Sequence, residues 1–402
     1  MSKYCNFCQH DYKGTEVPVV NGDGVGICEP CISESQIALS GEAHKDTIAE
    51  DCSASIDAGL FPNELIQHSD KFVVGQDEAK KTLAVALSLH SKYHLVNKLL
   101  PAGKPLKMNT LLIGPTGTGK THLTETMASA IGLPFVSVDC TSVTAAGYIG
   151  DSVDTILQSL INKSNGDVKL AEKGVVFLDE IDKICAKGET SSTNKDPGGE
   201  QVQDALLKII EGTIMRVPTE NLGVRSTSPY VEIDTSGILF IAGGAFKGIE
   251  KLVEERISKG ASGGIGFGAH LRTIENKDST ELQSKISNQD ISRYGLKEEF
   301  IGRFSNLAKL YPLTDEQYEL IIRGDKTSPF ASHKLYAKAF GVDLVLADSG
   351  VKAITEKCRD EDIGARGIFR IMNASVIEVY SNIEKHVGKT VEITSTEVNN
   401  AV

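Results

Sequence analysis

No apolar run in this chain approaches the roughly 20 residues that span a bilayer, and the opening Met1-Ser2-Lys3-Tyr4-Cys5 has no apolar core of a secretion signal. Both observations lead us to expect a cytoplasmic protein with no membrane contact. A positive surplus is also missing: the formal charge is -12. Such a chain has no overall field that gathers phosphates, so a general nucleic-acid or anionic-membrane binder is excluded, although local basic sites are not. Disulfide-framework spacing is absent as well. Cys52, Cys140, Cys185 and Cys358 stand alone, whereas Cys5, Cys8, Cys28 and Cys31 form two CxxC pairs. Reduced thiols with one metal site fit that distribution better than a secreted scaffold. There are no internal repeats. With 402 residues, 40% hydrophobic and 24% charged, the chain has the composition of a globular protein of two or three domains.

The CxxC pairs are separated by about nineteen residues. Four thiolates in two knuckles suit tetrahedral Zn²⁺, and so small a segment lacks the core to fold without it. Two disulfides or inert thiols are the alternatives, and His10 is close enough in sequence to be a substitute ligand. Residues 1–33 are therefore expected to be a zinc-binding domain, and the polar, acidic stretch 34–59 a linker.

From Leu60 the pattern changes. Apolar residues at helical spacing (Leu83, Val85, Ala86, Leu89) predict a helix within 77–100. Four short apolar runs, at 110–113, 135–138, 175–178 and 238–242, read as buried strands, each followed by a turn and helix-compatible sequence. That alternation predicts an α/β domain with a parallel sheet. The polar, glycine-containing insertion at 187–200 and the glycine-rich stretch at 260–268 read as loops. Beyond Pro312 the segments are mostly helical, with one strand candidate at 342–346, so a small C-terminal domain is expected over 312–402, after a large domain over 60–311.

Between the first strand and a helix lies Gly114-Pro115-Thr116-Gly117-Thr118-Gly119-Lys120-Thr121. This is G-x-x-x-x-G-K-[ST] in its confirming context, a P-loop. Its glycines let successive N–H groups close on phosphate oxygens at a helix N-terminus. Lys120 then reaches the β/γ phosphates of ATP, and the Thr121 hydroxyl ligates Mg²⁺. The third strand ends in Asp179-Glu180. Asp179 is placed to hold the magnesium through water, and Glu180 to orient or deprotonate the attacking water.

With Ile181 and Asp182, those carboxylates resemble the Walker B segment of the AAA+ ATPases. The rest of the chain, from Cys5 to about Met372, resembles the unfoldase branch of that family that serves the Clp protease. Val74-Gly75-Gln76 is similar to the adenine-side motif, Glu298 to Arg303 to the arginine-finger segment, and Gly364-Ala365-Arg366-Gly367 to the sensor-2 motif. The resemblance implies an AAA+ ATPase with Arg303 and Arg366 as further catalytic residues and a homo-hexameric assembly. It also implies that the zinc domain dimerises and receives substrates or adaptors. Gly147-Tyr148-Ile149-Gly150 resembles the substrate-gripping pore loop, and Ile265-Gly266-Phe267 the tripeptide that docks on the ClpP peptidase. The implied activity is ATP-driven unfolding of tagged or unfolded proteins and their delivery to that peptidase. A remodelling chaperone without peptidase docking is the alternative, and a DNA-linked switch using the zinc unit is a third reading that the acidic charge disfavours. The family's basic pore-entrance loop is not matched: residues 217–231 contain Arg225 as their one basic residue, which leaves the class of degron open.

Overall fold

Apolar runs of four to six residues bounded by turns become the strands of one sheet, and the amphipathic segments between them become its covering helices. The computed structural model describes residues 4–6, 19–22, 25–29, 31–32, 60–100, 106–143, 153–185, 197–218, 230–261, 279–324, 328–361 and 363–401. The chain separates into two units, Met1–Gly59 and Leu60–Val402. In the first, β1 (Val19–Gly22) and β2 (Val25–Cys28) pair antiparallel. Asn6 is tied to the hairpin, its N–H donating to the Gly26 carbonyl and its Oδ1 accepting from Gly26 N–H at 2.8 Å. The buried hydrophobic cluster among the described residues of this unit is Cys5, Cys28 and Cys31.

The second unit is built on β3 (Thr110–Ile113), β4 (Phe135–Asp139), β5 (Val175–Asp179), β8 (Leu239–Gly244) and β9 (Asn306–Lys309). They lie in the order β4-β5-β8-β3-β9, every pair parallel. Alternate residues face opposite sides. Leu111, Ile113, Val176, Leu178, Phe240 and Ala242 enter one core, while Leu112, Val175, Phe177, Leu239 and Ile241 enter the other. Helices α1 (Asp77–Ser91) and α2 (Lys120–Ile131) cover the second face through Leu83, Leu87, Leu123 and Met127, and α3 (Pro197–Glu211) covers the first through Leu206 and Ile209. The parallel sheet expected from the apolar runs is thus present.

Four departures from the expected elements have local causes. The sheet has a fifth strand, because β9 is an edge partner of β3 and needs backbone pairing rather than an apolar run; of its residues Ala308 alone is fully buried. The helix expected over 77–100 is two, since α1 ends at Ser91 and a second runs from Tyr93 to Leu99. The end of the insertion expected to be a loop is helical, with Pro197 opening α3 where its missing N–H costs nothing. Finally, β6 (Ile214–Pro218) and β7 (Tyr230–Asp234) form an antiparallel pair that no continuous apolar run marks.

Beyond Pro312 come α4 (Asp315–Arg323), α5 (Asp348–Asp360) and α6 (Ala365–Ser381). They enclose a separate core containing Ile322, Val351, Ile354, Ile368, Ile371 and Met372. The single expected strand has a partner here: β10 (Asp343–Leu346) pairs parallel with β11 (Thr390–Ile393), since an isolated strand would leave its backbone unpaired.

Candidate nucleotide site

The loop after β3 closes tightly because its glycines permit it. Gly117 and Gly119 have φ of 79° and 92°, the left-handed region that side chains disfavour. A Cβ on Gly114 would lie 2.4 Å from the Leu310 carbonyl oxygen. The loop ends where α2 begins at Lys120, which is 9% exposed. Lys120 Nζ donates to the carbonyls of Gly114 at 2.7 Å and Pro115 at 2.9 Å. Burial draws its pKa down from 10.5 to about 8, against the pull of the neighbouring Asp179 and Asp182 carboxylates. The Thr118 hydroxyl donates to the Pro115 carbonyl at 2.9 Å and fixes the loop internally.

Two carboxylates stand at the end of β5. The Thr121 hydroxyl donates to Asp179 Oδ2 at 2.7 Å, so the P-loop helix and the strand end share a pair of hard oxygen donors of the kind a divalent cation takes. Glu180 N–H donates to Asp179 Oδ1 at 2.9 Å, and Glu180 itself has φ of 55°. A non-glycine residue held there stores about 1–3 kcal/mol of strain, a pattern that clusters at functional sites. Asp182 is nearly buried. It accepts from Ala245 N–H at 3.0 Å and pairs with Lys183 at 2.9 Å, tying the end of β5 to the turn after β8. In that turn Phe246, fully buried, also lies at positive φ, 47°.

The remaining wall comes from the C-terminal region. Ala365 N–H donates to Gly117 O at 3.0 Å, which brings α6 onto the P-loop and places Arg366 at the same cleft. Gly117, Lys120, Thr121, Asp179, Glu180 and Arg366 line one cavity of about 320 Å³, together with Thr116 and Gly119. Cationic groups face carboxylates across a space of polyphosphate size, with N–H groups of a helix start between them.

Other expected residues lie elsewhere. Gln76, at the start of α1, is bonded through Nε2 and Oε1 to the Tyr311 carbonyl and N–H, at 2.8 and 2.9 Å. Arg303 does not line the cavity; its guanidinium pairs with Glu211 at the end of α3. In the first unit the sulfurs of Cys5, Cys28 and Cys31 all lie within 4.8 Å of one another and are buried, and Cys28 N–H points at Cys5 Sγ at 3.3 Å. Tetrahedral zinc sets its thiolates about 3.8 Å apart, so the three donors and the N–H aimed at sulfur fit that ion. Cys8, Tyr148, Ile149, Ile265, Gly266 and Phe267 fall outside the described residues. Asp182 stands out in the sequence only within the Walker B segment, and Ala245 not at all. The acidic pair pattern of Asp179 and Asp182 is the one signal that could have found the first, and nothing in the chain marks the second.

The chain matches the family model described as AAA domain (Cdc48 subfamily) over residues 106–307. It is 38% identical over 375 residues to the "ATP-dependent Clp protease ATP-binding subunit ClpX" of Treponema denticola, the match covering 93% of this chain and 88% of that protein. It is 36% identical over 381 residues to the "ATP-dependent Clp protease ATP-binding subunit ClpX 3" of Methylococcus capsulatus, covering 92% and 86%. Among the described residues no helix is long and apolar enough to cross a membrane.

Proposed function

The chain belongs to the ClpX family of AAA+ ATPases, and from that premise we propose that it unfolds protein substrates by ATP hydrolysis and passes them to a ClpP-type peptidase. The observation carrying the motor half is the single cavity shared by Lys120, Thr121, Asp179, Glu180 and Arg366. In this reading Gly114 to Thr121 cradle the phosphates and Lys120 neutralises them. Thr121 and Asp179 hold Mg²⁺, which supplies charge neutralisation on the phosphates when bound. Glu180 takes the proton from the attacking water. Arg366 contacts the γ-phosphate from α6, so closure of the C-terminal region reports the nucleotide state.

Arg303 serves a neighbouring subunit. Its separation from its own cavity supports a role in trans, where such a finger contributes about 10³ to 10⁵ in rate, and hence a homo-hexamer. Residues 60–311 and 312–402 are the large and small parts of the motor. Cys5, Cys8, Cys28 and Cys31 hold a structural Zn²⁺ in a domain that dimerises and receives substrates or adaptors. Tyr148 and Ile149 grip the chain in the pore, and Ile265 to Phe267 dock on the peptidase. A cytoplasmic location follows from the same reading.

The test is ATP-dependent degradation of a panel of tagged proteins with the cognate peptidase, comparing the intact chain with one lacking residues 265–267. Degradation lost on deletion, with ATPase retained, is expected. ATPase and unfolding without any degradation by the intact chain would replace the protease role with a remodelling chaperone.

A further inference from the structure

The P-loop strand has a second end. β3 leads forward into Gly114, and at its start stands Asn109, which is 3% exposed. Both ends of its side-chain amide are engaged, in two directions. Oδ1 accepts from Phe240 N–H of β8 at 3.1 Å, and Nδ2 donates to the Arg303 carbonyl at 3.1 Å. Its backbone carbonyl is also engaged, accepting from Asn306 N–H at 3.3 Å and from the Ser305 hydroxyl at 3.3 Å. One residue therefore holds the segment Arg303–Asn306 by three bonds, and fixes that segment to the start of β3 and to its neighbour β8.

The surroundings make this grip rigid. Lys107, two residues earlier, donates from Nζ to the Ile210 carbonyl at 3.3 Å and lies 5.5 Å from the Phe240 ring centre. That fastens the end of α3, where Glu211 pairs with the Arg303 guanidinium. The Arg303 side chain is half exposed, at 49%, and so it has no core of its own to hold it. Its direction is set by where its backbone is anchored and by Glu211. A long flexible arginine delivers rate only when its starting point is held, since misplacement by about 1 Å can cost on the order of 100-fold.

We propose that Asn109 is a positioning residue for Arg303, so that β3 carries this subunit's own phosphate loop at one end and the anchor of the arginine offered to the neighbouring subunit at the other. The inference rests on the reading of Arg303 as a residue acting in trans. No residue other than asparagine meets the requirement as well: the site needs an acceptor for Phe240 N–H and a donor for the Arg303 carbonyl on one short planar group. In Asn109→Asp the acceptor survives, but a carboxylate oxygen replaces the donor and faces the Arg303 carbonyl.

The test uses mixed assemblies of full-length chains. A donor subunit carries Glu180→Gln, so its own site is silent but its Arg303 is intact. An acceptor subunit carries Arg303→Ala, so its own site depends on a neighbour's arginine. Mixing the two restores ATPase over either alone. Asn109→Asp is then introduced into one partner at a time, with assembly followed by sedimentation. In the donor it is expected to lower the restored rate about tenfold or more; in the acceptor, whose finger is already absent, it is expected to leave the rate within about twofold. A merely structural role, acting on β3 and the subunit's own P-loop, predicts the reverse, and that result overturns the proposal. Should the aspartate subunits fail to assemble, Asn109→Ser, which is uncharged, runs the same two arms. Wild-type ATPase in Arg303→Ala alone removes the trans reading itself, and is distinguishable because it appears before Asn109 is touched.

Discussion

The backbone N–H of Ala365 donates to the carbonyl of Gly117 at 3.0 Å, joining the first turn of α6 to the centre of the P-loop. The contact is possible because glycines meet there. A Cβ on Gly364 would lie 2.7 Å from the Thr116 carbonyl oxygen and 2.8 Å from Gly117 Cα. Gly364 also has φ of 62° and ψ of −158°, a region open essentially to glycine. The bond thus links nucleotide site and C-terminal region without any side chain between them.

Gly364→Ala should separate α6 from the P-loop while leaving both cores intact. Strain of about 1–3 kcal/mol predicts a loss of about tenfold or more in ATP turnover or affinity, with an unchanged circular dichroism spectrum. Wild-type ATPase in this variant would show that the contact is incidental.

Nucleotide affinity should depend on pH through Lys120. Burial holds its pKa at about 8 in the free protein, and bound phosphate favours the cation and raises it. Below pH 8 the lysine is charged in both states, so affinity is level. Above pH 8 binding must take up a proton, and affinity falls with rising pH by up to about tenfold per unit. Calorimetry at pH 9 in buffers of different ionisation heat should detect that uptake.

His90 on α1 predicts an acid-sensitive fold. Its Nε2 lies 2.9 Å from the Lys173 carbonyl, and its Nδ1 has no partner among the described residues. Burial, chiefly, lowers its pKa from 6.5 to about 4. The folded state therefore prefers the neutral ring. Its contribution is fully present above pH 6.5 and is lost as pH falls from there through 4, amounting to about 3 kcal/mol. Melting curves of His90→Gln should fall less steeply over that window than those of the wild type.

Glu180→Gln is expected to keep ATP binding and lower hydrolysis by about 10²- to 10⁴-fold, because the amide keeps the shape at φ 55° but accepts no proton. Nucleotide binding by fluorescence and phosphate release separate the two effects.

Removal of Cys31, buried against Cys5 and Cys28, should abolish zinc retention. Metal analysis of Cys31→Ser after dialysis against a chelator checks this; zinc retained in full would remove Cys31 from the ligand set.

The features legible in the chain's own residues are local in character. The loop from Gly114 to Thr121 was legible because phosphate binding needs a fixed spacing of glycines, lysine and threonine along the chain, and β5 was legible because an apolar run ends in Asp179 and Glu180. The strands β3, β5 and β8 announced themselves because they are buried on both faces, and the edge strand β4 through a short apolar run that is only half-buried. The rest arises only when distant segments pack together. Strand β9 is polar at Asn306 and Lys309 and exists through pairing with β3, which no run of its own residues encodes. The bond from Ala365 to Gly117, the tie of Asp182 to Ala245 and the grip of Asn109 on Arg303 join residues far apart in the chain. Each depends on backbone groups brought to within 3.1 Å by packing elsewhere, and a backbone N–H or carbonyl carries no mark in the sequence of the partner it will find.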